Sequence, residues 1–315
     1  MEVQSSPLVP VDLLTGWLEA SVPTVIVDLR WYLGRPGDGQ RAYFGGHLPG
    51  AIFLDLDDDL ADPDGLGAPG RHPLPDPQAF VARMSAAGIG DGMRVVGYDD
   101  VGGWVAARLW WMLDNLGYGR RGVSGEFAGV LDGGIKAWTE AGHRLETSDP
   151  AAGAGAHAPA AAMGAAPLTL AGPWRGVIER EALKARLGSV KLLDARAPER
   201  YRGEVEPVDP VAGHIPTAIS APLGANLDAE GRFKELATIV AGYAGMGITA
   251  ASDDEVIVSC GSGTSATHHS LAMRAAGLPD PILYVGSYSD WSRSGEEIAT
   301  GAEPGTPPGR EEAAT

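Results

Sequence analysis

The feature that most constrains the fold of this 315-residue chain is an internal duplication. Four short segments of the first half recur in the second half, in the same order. The matching pairs are 25–30 with 191–196, 46–52 with 213–219, 93–99 with 255–260, and 130–138 with 283–291. Self-similarity in a fixed order is the signature of a repeated structural unit. The two halves are therefore expected to share one fold.

Each half alternates strand-like and helix-like segments. Residues 25–27 and 256–258 are both Val-Ile-Val, a pattern typical of buried strands. Residues 104–116 are apolar on most faces of a helix, and 233–246 form an amphipathic helical pattern. Strands that alternate with helices predict an α/β fold of tandem domains, each with a mostly parallel sheet flanked by helices on both faces.

Composition along the chain predicts the domain boundaries. Residues 147–172 are rich in Ala, Gly and Pro and show no amphipathic period, which is typical of an exposed linker. We therefore expect a first domain over 1–146 and a second over 173–300. The Gly-, Pro- and Glu-rich residues 301–315 are expected to form a flexible tail.

The charge and the cysteine content limit the partners of the protein. A formal net charge of −17 repels phosphate backbones and argues against nucleic acid. A single cysteine cannot form an intramolecular disulfide, and the sequence shows neither a metal-binding Cys/His cluster nor a motif for an organic cofactor. The N-terminus lacks the order of a signal peptide, and no apolar stretch could span a bilayer. We expect a cytoplasmic protein without a membrane partner.

That single cysteine, Cys260, stands where a catalytic nucleophile would stand. It follows a predicted strand over 254–259 and precedes a loop of small residues and a helix predicted over 266–276. Ligand sites of parallel sheets lie at the carboxyl ends of strands. Loop N–H groups and the helix N-terminus favour the reactive thiolate. The alternative is a buried, inert cysteine. His268 and His269, on that helix, are expected on its surface.

Together these motifs resemble the two-domain rhodanese-type sulfurtransferases, which comprise mercaptopyruvate and thiosulfate sulfurtransferases. The resemblance runs from about residue 11 to 294. The loop CGSGTSA at 260–266 is similar to the CGSGVTA loop of mercaptopyruvate enzymes, whereas thiosulfate enzymes tend to carry basic residues after the cysteine. The motifs at 194–196, 200–203 and 131–134 also match. Asp99 stands at the cysteine position of the first half, which implies a non-catalytic first domain.

The resemblance also implies the chemistry. Cys260 would take a sulfane sulfur from a donor, become a persulfide, and pass the sulfur to cyanide, a small thiol or a thioredoxin-like protein. Arg200 would bind the carboxylate or sulfonate of the donor, because a guanidinium suits bidentate capture of either group. Many mercaptopyruvate enzymes carry a second arginine in the following loop, and here Val208 stands about at that position.

The remaining loop residues are assigned to binding of the donor and the sulfur. Gly261 and Gly263 would let the backbone close around the sulfur, where a side chain would interfere. Thr264 and Ser265 would add hydroxyl donors, although capping of the following helix is an equal alternative for Ser265.

The resemblance further implies a proton relay through Ser262, with His72 and Asp57 from the first domain. A histidine oriented by a carboxylate can polarise a hydroxyl near neutral pH. Two alternatives stay open. His72 could be a loop histidine that packs under the domain interface, and Asp57 is one of several neighbouring acidic residues, most of which must be solvated.

The predicted function is therefore sulfur transfer from 3-mercaptopyruvate through a Cys260 persulfide. Thiosulfate:cyanide sulfur transfer by the same mechanism is the alternative, and a non-catalytic sulfur-carrier or regulatory module is a more distant one. A phosphatase on the same fold would need a Cys-x5-Arg loop, and the residue after Ser265 is Ala266.

Overall fold

The computed structural model describes residues 6–62, 70–147 and 166–308. They form two compact units that interleave along the chain. The first unit comprises 6–62, 74–147, 166–175 and 229–233, and the second comprises 70–73, 176–228 and 234–308. Most of the predicted linker (148–165) and the end of the predicted tail (309–315) lie outside the described residues.

The first unit is built on a five-stranded parallel sheet with the strand order β1-β6-β5-β2-β3. A separate antiparallel pair joins β4 to β7. The strands are β1 (Leu8–Val9), β2 (Thr24–Asp28), β3 (Ile52–Phe53), β4 (Gly90–Asp91), β5 (Arg94–Tyr98), β6 (Phe127–Leu131) and β7 (Ala166–Pro167). The helices are α1 (Val11–Glu19), α2 (Asp38–Gly45), α3 (Leu56–Asp59), α4 (Pro77–Ala86), α5 (Trp104–Asn115) and α6 (Gly134–Glu140).

The second unit repeats this plan with a five-stranded parallel sheet of order β10-β9-β11-β12-β8. The strands are β8 (Val177–Ile178), β9 (Lys191–Asp194), β10 (Ile219–Ser220), β11 (Val256–Ser259) and β12 (Ile282–Tyr284). The helices are α7 (Arg180–Lys184), α8 (Pro198–Tyr201), a 3-10 helix (Leu223–Asn226), α9 (Leu236–Gly245), α10 (Thr267–Ala275) and α11 (Ser287–Trp291).

The predicted fold class is confirmed. Consecutive residues of β2 and of β11 are buried, so both faces of each sheet are covered. The two sheets also share a register, because Asp28 pairs with Tyr98 in the first and Asp194 pairs with Ser259 in the second. Asp99 and Cys260 therefore follow equivalent strand ends.

A buried ion pair supports the turn after an equivalent strand in each unit. An arginine two residues after the strand-end aspartate binds it through Nε and Nη2, and the same Nη2 donates to a distant glycine carbonyl at 2.7 Å. The pairs are Asp28–Arg30 with the carbonyl of Gly46, and Asp194–Arg196 with the carbonyl of Gly213. Because both units contain the same arrangement, we interpret it as structural.

Some boundaries differ from the prediction for identifiable reasons. Helix α9 begins at Leu236, because Phe233 N–H donates to Asp132 Oδ1 and Lys234 N–H donates to Asn226 O. These contacts hold the preceding residues outside the helix. Strand β11 begins at Val256, two residues after the predicted start.

The ends of the predicted linker and the start of the predicted tail are ordered by specific contacts. Within the predicted linker, residues 166 and 167 form β7, and Leu168 and Leu170 are buried. In the tail, Gly301 N–H donates to Arg202 O at 2.9 Å, and Glu303 O lies 3.1 Å from His214 Nε2.

Each unit has its own hydrophobic core. Aromatic residues anchor both, with Tyr98 and Trp138 in the first unit and Tyr284 and Trp291 in the second. Burial of side chains of this size contributes about 2 kcal/mol each. Across the described parts of the chain, no helix combines the length and apolar character needed to cross a bilayer.

Candidate active site

Cys260 lies at the carboxyl end of the central strand of the second sheet. It directly follows β11, and its side chain is 1% exposed. Gly263 N–H donates a hydrogen bond to Cys260 Sγ at 3.1 Å. Burial is common to an inert cysteine and to a shielded nucleophile. However, the loop after Cys260 is made of Gly, Ser and Thr rather than large apolar residues, and one of its main-chain N–H groups donates to the sulfur.

The loop is held in shape by the segment around α11. Cys260 N–H donates to Ser287 Oγ at 3.1 Å, and the Cys260 carbonyl accepts from Tyr288 N–H at 2.9 Å. Gly263 has a φ of +80°, and a Cβ there would lie 2.3 Å from the carbonyl oxygen of Val285. Only glycine fits that conformation and that space. The shape of the loop therefore depends on Gly263.

His72 and Ser262 are brought together. His72 Nδ1 lies 2.7 Å from Ser262 Oγ and 3.4 Å from Thr264 Oγ1, and all three side chains are buried. His72 belongs to the N-terminal half of the sequence, but residues 70–73 are part of the second compact unit. A hydroxyl two residues after the cysteine is thus in contact with a titratable imidazole, as a proton relay requires.

Asp57 lies in the first unit, on the short helix α3. Its Oδ2 accepts a hydrogen bond from Trp31 Nε1 at 2.8 Å, and its N–H donates to Asp55 Oδ1. The side chain is therefore oriented by a neighbour of its own unit. Its participation in a relay with His72 stays a prediction.

Arg200 lies on α8 and is held by two carboxylates of the loop that follows. Its Nη2 donates to Glu206 Oε1 at 2.6 Å and to Asp209 Oδ2 at 3.4 Å. Burial would raise the pKa of Glu206, but hydrogen bonds from Arg200 and from the N–H groups of Asp209 and Val208 hold it below its ordinary value. Glu206 is therefore a fixed anion that orients Arg200.

The remaining loop residues differ in their surroundings. Thr264 is buried and contacts His72, whereas Ser265 is half-buried. Helix α10 begins after Ala266, and no side chain caps it. The capping alternative for Ser265 is therefore not observed, and its role in donor binding stays a prediction.

The predicted surface position of His268 and His269 is wrong. Both are buried, because α10 packs against α9 and the 3-10 helix as well as against the sheet. Burial lowers the pKa of His269 to about 4, so its imidazole is neutral at pH 7. Its Nε2–H donates to Ala221 O at 2.8 Å, and its Nδ1 accepts from the Tyr243 hydroxyl at 2.6 Å. This histidine is a structural element of the core.

Sequence reasoning missed three residues near the loop, namely Arg71, Asp209 and Arg293. The Asp209 side chain is fully buried, and its Oδ1 accepts from Arg71 Nη1 and from Arg293 Nη1, the latter at 3.1 Å. Arg71 directly precedes His72, which is the only local signal that could have pointed to it. The partners are 138 and 84 residues apart, so no local pattern relates them.

In the first unit, the equivalent loop surrounds a carboxylate instead of a thiol. The carboxylate of Asp99, at the position equivalent to Cys260, is fully buried and accepts four backbone N–H groups. The donors are Val101 and Gly103 to Oδ1 at 2.9 and 2.7 Å, and Val105 and Ala106 to Oδ2 at 2.9 and 3.2 Å. Burial raises the pKa of Asp99, and the four N–H groups oppose that rise, so the loop after this strand is a cradle of main-chain donors.

The described residues around Cys260 do not form a metal site. Among residues 6–62, 70–147 and 166–308, no group of three His, Cys, Asp or Glu side chains is placed to hold a metal ion.

Comparison with known proteins identifies the family. The model of the rhodanese-like domain matches residues 12–141 and again 179–294. A protein of Pseudomonas aeruginosa named probable 3-mercaptopyruvate sulfurtransferase is 40% identical over 269 residues, covering 85% of this chain and 88% of its own. A Mycobacterium tuberculosis protein with the provisional name thiosulfate sulfurtransferase is 38% identical over 293 residues, or 93% and 96% of the two chains.

Solved structures agree with this result. The 3-mercaptopyruvate sulfurtransferase of Leishmania major superposes with a TM-score of 0.74 at 26% identity, covering 92% of this chain and 75% of that one. The Escherichia coli enzyme superposes with a TM-score of 0.70 at 25% identity, covering 90% and 99%. Family model, relatives and structures coincide over nearly the whole length. The chain belongs to the rhodanese family, as a sulfurtransferase with two rhodanese-like domains.

Proposed function

We propose that this protein transfers the sulfur of 3-mercaptopyruvate to a thiophilic acceptor through a persulfide on Cys260. Relatives that carry the name 3-mercaptopyruvate sulfurtransferase support the donor. The small, polar loop with a main-chain donor to the sulfur supports the covalent intermediate, because thiolate and persulfide are both anions. The acceptor is a small thiol, cyanide or a thioredoxin-like protein.

The reaction has two steps. The Cys260 thiolate attacks the donor sulfur, and an S–S bond forms while the C–S bond breaks and its electron pair passes to the donor carbon. In balance, Cys–S⁻ and HS–CH₂–CO–COO⁻ give Cys–S–S⁻ and pyruvate, CH₃–CO–COO⁻. The acceptor then attacks the outer sulfur, takes it as a persulfide or thiocyanate, and releases the Cys260 thiolate.

The contact of His72 with Ser262 is the single observation that carries the choice of donor. In the first step, one proton must leave the donor thiol and reach the carbon that becomes a methyl group. A buried imidazole and hydroxyl 2.7 Å apart, two residues from the cysteine, can carry that proton. Thiosulfate needs no such transfer, since its leaving group is sulfite.

Replacing His72 with alanine should therefore affect the two donors differently. We expect kcat with 3-mercaptopyruvate to fall about 10²-fold, the usual contribution of one general acid–base group, and kcat with thiosulfate to fall less than about threefold. Steady-state kinetics with each donor measures both values. Equal losses on both donors would contradict the relay.

Replacing Arg200 with alanine should weaken donor binding. We expect KM for 3-mercaptopyruvate to rise about 10- to 100-fold with a smaller change in kcat, because the interaction exists before the reaction as well as during it. Glu206 keeps a contact with Arg196 at 3.3 Å and two backbone N–H donors, so it retains partners in the variant. An unchanged KM would remove Arg200 from the donor site.

Thiosulfate:cyanide transfer is the second candidate, and one observation favours it. The Mycobacterium tuberculosis relative is nearly as similar as the Pseudomonas one and carries the thiosulfate name. The persulfide mechanism would be the same for both donors. The two candidates differ in the leaving group and in the need for proton transfer.

Mass spectrometry and parallel kinetics test this proposal. Incubation with 3-mercaptopyruvate should add about 32 Da, one sulfur atom, to the intact protein, and a thiol acceptor should remove it. A non-catalytic module would show no turnover. A much larger kcat/KM for thiosulfate than for 3-mercaptopyruvate would reverse the order of the two donors.

The first domain is non-catalytic on its own, because Asp99 fills the loop that holds the sulfur in the second. A cytoplasmic location remains a prediction from the lone cysteine.

A further inference from the structure

Two arginine side chains converge beside the nucleophilic loop. A Cβ built on Gly261, the residue after Cys260, would lie 2.9 Å from Arg71 Nη2 and 3.6 Å from Arg200 Nη1. Among the described residues, neither of these two nitrogens makes a hydrogen bond. The space that a side chain at position 261 would fill is therefore occupied by two guanidinium edges with N–H groups available to a ligand.

Buried carboxylates hold both arginines beside the loop. Asp209 binds Arg71 through Nη1 and contacts Arg200 Nη2 at 3.4 Å, and Glu206 is the nearer partner of Arg200 at 2.6 Å. The backbone also holds Arg71 in place, since its N–H donates to Ser289 Oγ at 3.1 Å, next to the turn that supports the loop. The Arg71 side chain is only 23% exposed, and these contacts hold it in its orientation.

The charges near the loop leave an excess of one positive charge. Within the described part of the chain, Arg71, Arg200 and Arg293 pair with two carboxylates, Glu206 and Asp209. Arg196, which also contacts Glu206, is already neutralised by its buried partner Asp194. The guanidinium groups beside Gly261 thus exceed their carboxylate partners by one charge, before the Cys260 thiolate of the proposed mechanism is counted.

We propose that Arg71 is a second donor-binding residue, which holds the carboxylate of the 2-oxo acid together with Arg200, and that Asp209 is the positioning residue for Arg71 as Glu206 is for Arg200. This inference rests on the proposed function. Many mercaptopyruvate enzymes carry a second arginine where this chain has Val208. Arg71 would bind the donor in place of that arginine, from a different segment of the chain. Two guanidinium edges can bind the two oxygens of one carboxylate.

Substitution of Arg71 with methionine and with lysine tests the assignment. With Arg71→Met we expect KM for 3-mercaptopyruvate to rise about 10- to 100-fold, while kcat changes less than about threefold. Arg71→Lys should recover part of the loss, because it keeps the charge without the fork geometry. The matched control is Arg180→Met, which removes another partly buried arginine of the same unit, paired with Asp290 at 2.6 Å, and should leave KM unchanged.

A binding measurement separates this role from a structural one. In a Cys260→Ser background, calorimetry with pyruvate should show the same 10- to 100-fold loss of affinity on Arg71→Met. A fall in kcat with unchanged pyruvate affinity would mean that Arg71 only supports His72, and it would overturn the proposal. Loss of the sulfur adduct in the unsubstituted protein would instead contradict the proposed function.

Discussion

Cys260→Ser is expected to abolish sulfur transfer, with a loss of more than about 10⁴-fold in kcat/KM for any donor. A serine hydroxyl stays protonated near neutral pH and cannot hold a transferred sulfur as a persulfide. Because Cys260 is the only cysteine of the chain, no other thiol can take over. Intact-protein mass spectrometry after addition of donor should show the added sulfur atom on the unsubstituted protein and none on the variant.

The same variant should remain folded. The exchange replaces one sulfur by oxygen in a loop held mainly by main-chain contacts, including the hydrogen bonds of Cys260 N–H and C=O to Ser287 and Tyr288. We expect the free energy of unfolding to change by less than about 1 kcal/mol. Thermal unfolding of both proteins is the control. A sulfur adduct that persisted on the folded variant would disprove the assignment of Cys260.

The duplication made the fold and the centre of the site predictable from the sequence. Two copies of one strand–loop–helix pattern require one architecture, and the side at which parallel strands end determines where Cys260 lies. The likeness to mercaptopyruvate enzymes also led to His72 and Ser262, whose contact the structure contains. The positions of these residues were predictable because each lies in a short motif with its own geometry, and their catalytic roles stay predictions.

The arginine cluster was not predictable for the opposite reason. Glu206 and Asp209 are acidic residues in a loop, a pattern that usually indicates a solvated surface, yet both side chains are buried. Asp209 pairs with Arg71, which is 138 residues away in sequence, and Glu206 pairs with Arg200 and Arg196. The prediction for His268 and His269 on α10 failed for a similar reason. Local amphipathicity does not show that this helix packs against α9. Long-range pairing decides both cases.

Asp99→Ala is expected to cause the largest loss of stability. The four backbone N–H groups that the carboxylate accepts would lose their partner in a fully buried loop. Each unsatisfied buried donor costs about 1–3 kcal/mol, and partial entry of water offsets some of this, so we expect a loss of about 4 kcal/mol in the free energy of unfolding. Urea denaturation followed by tryptophan fluorescence measures this change.

The neighbouring Asp100 offers a matched control, because it is an exposed carboxylate that accepts one hydrogen bond, from the Tyr32 hydroxyl at 2.6 Å. Asp100→Ala should cost less than about 1 kcal/mol. If Asp99→Ala cost no more than Asp100→Ala, the first-unit loop would not depend on the acceptor that Asp99 provides. A large and specific loss would instead support the view that the loop shape of this fold requires an internal hydrogen-bond acceptor, a place that Cys260 Sγ takes in the second unit.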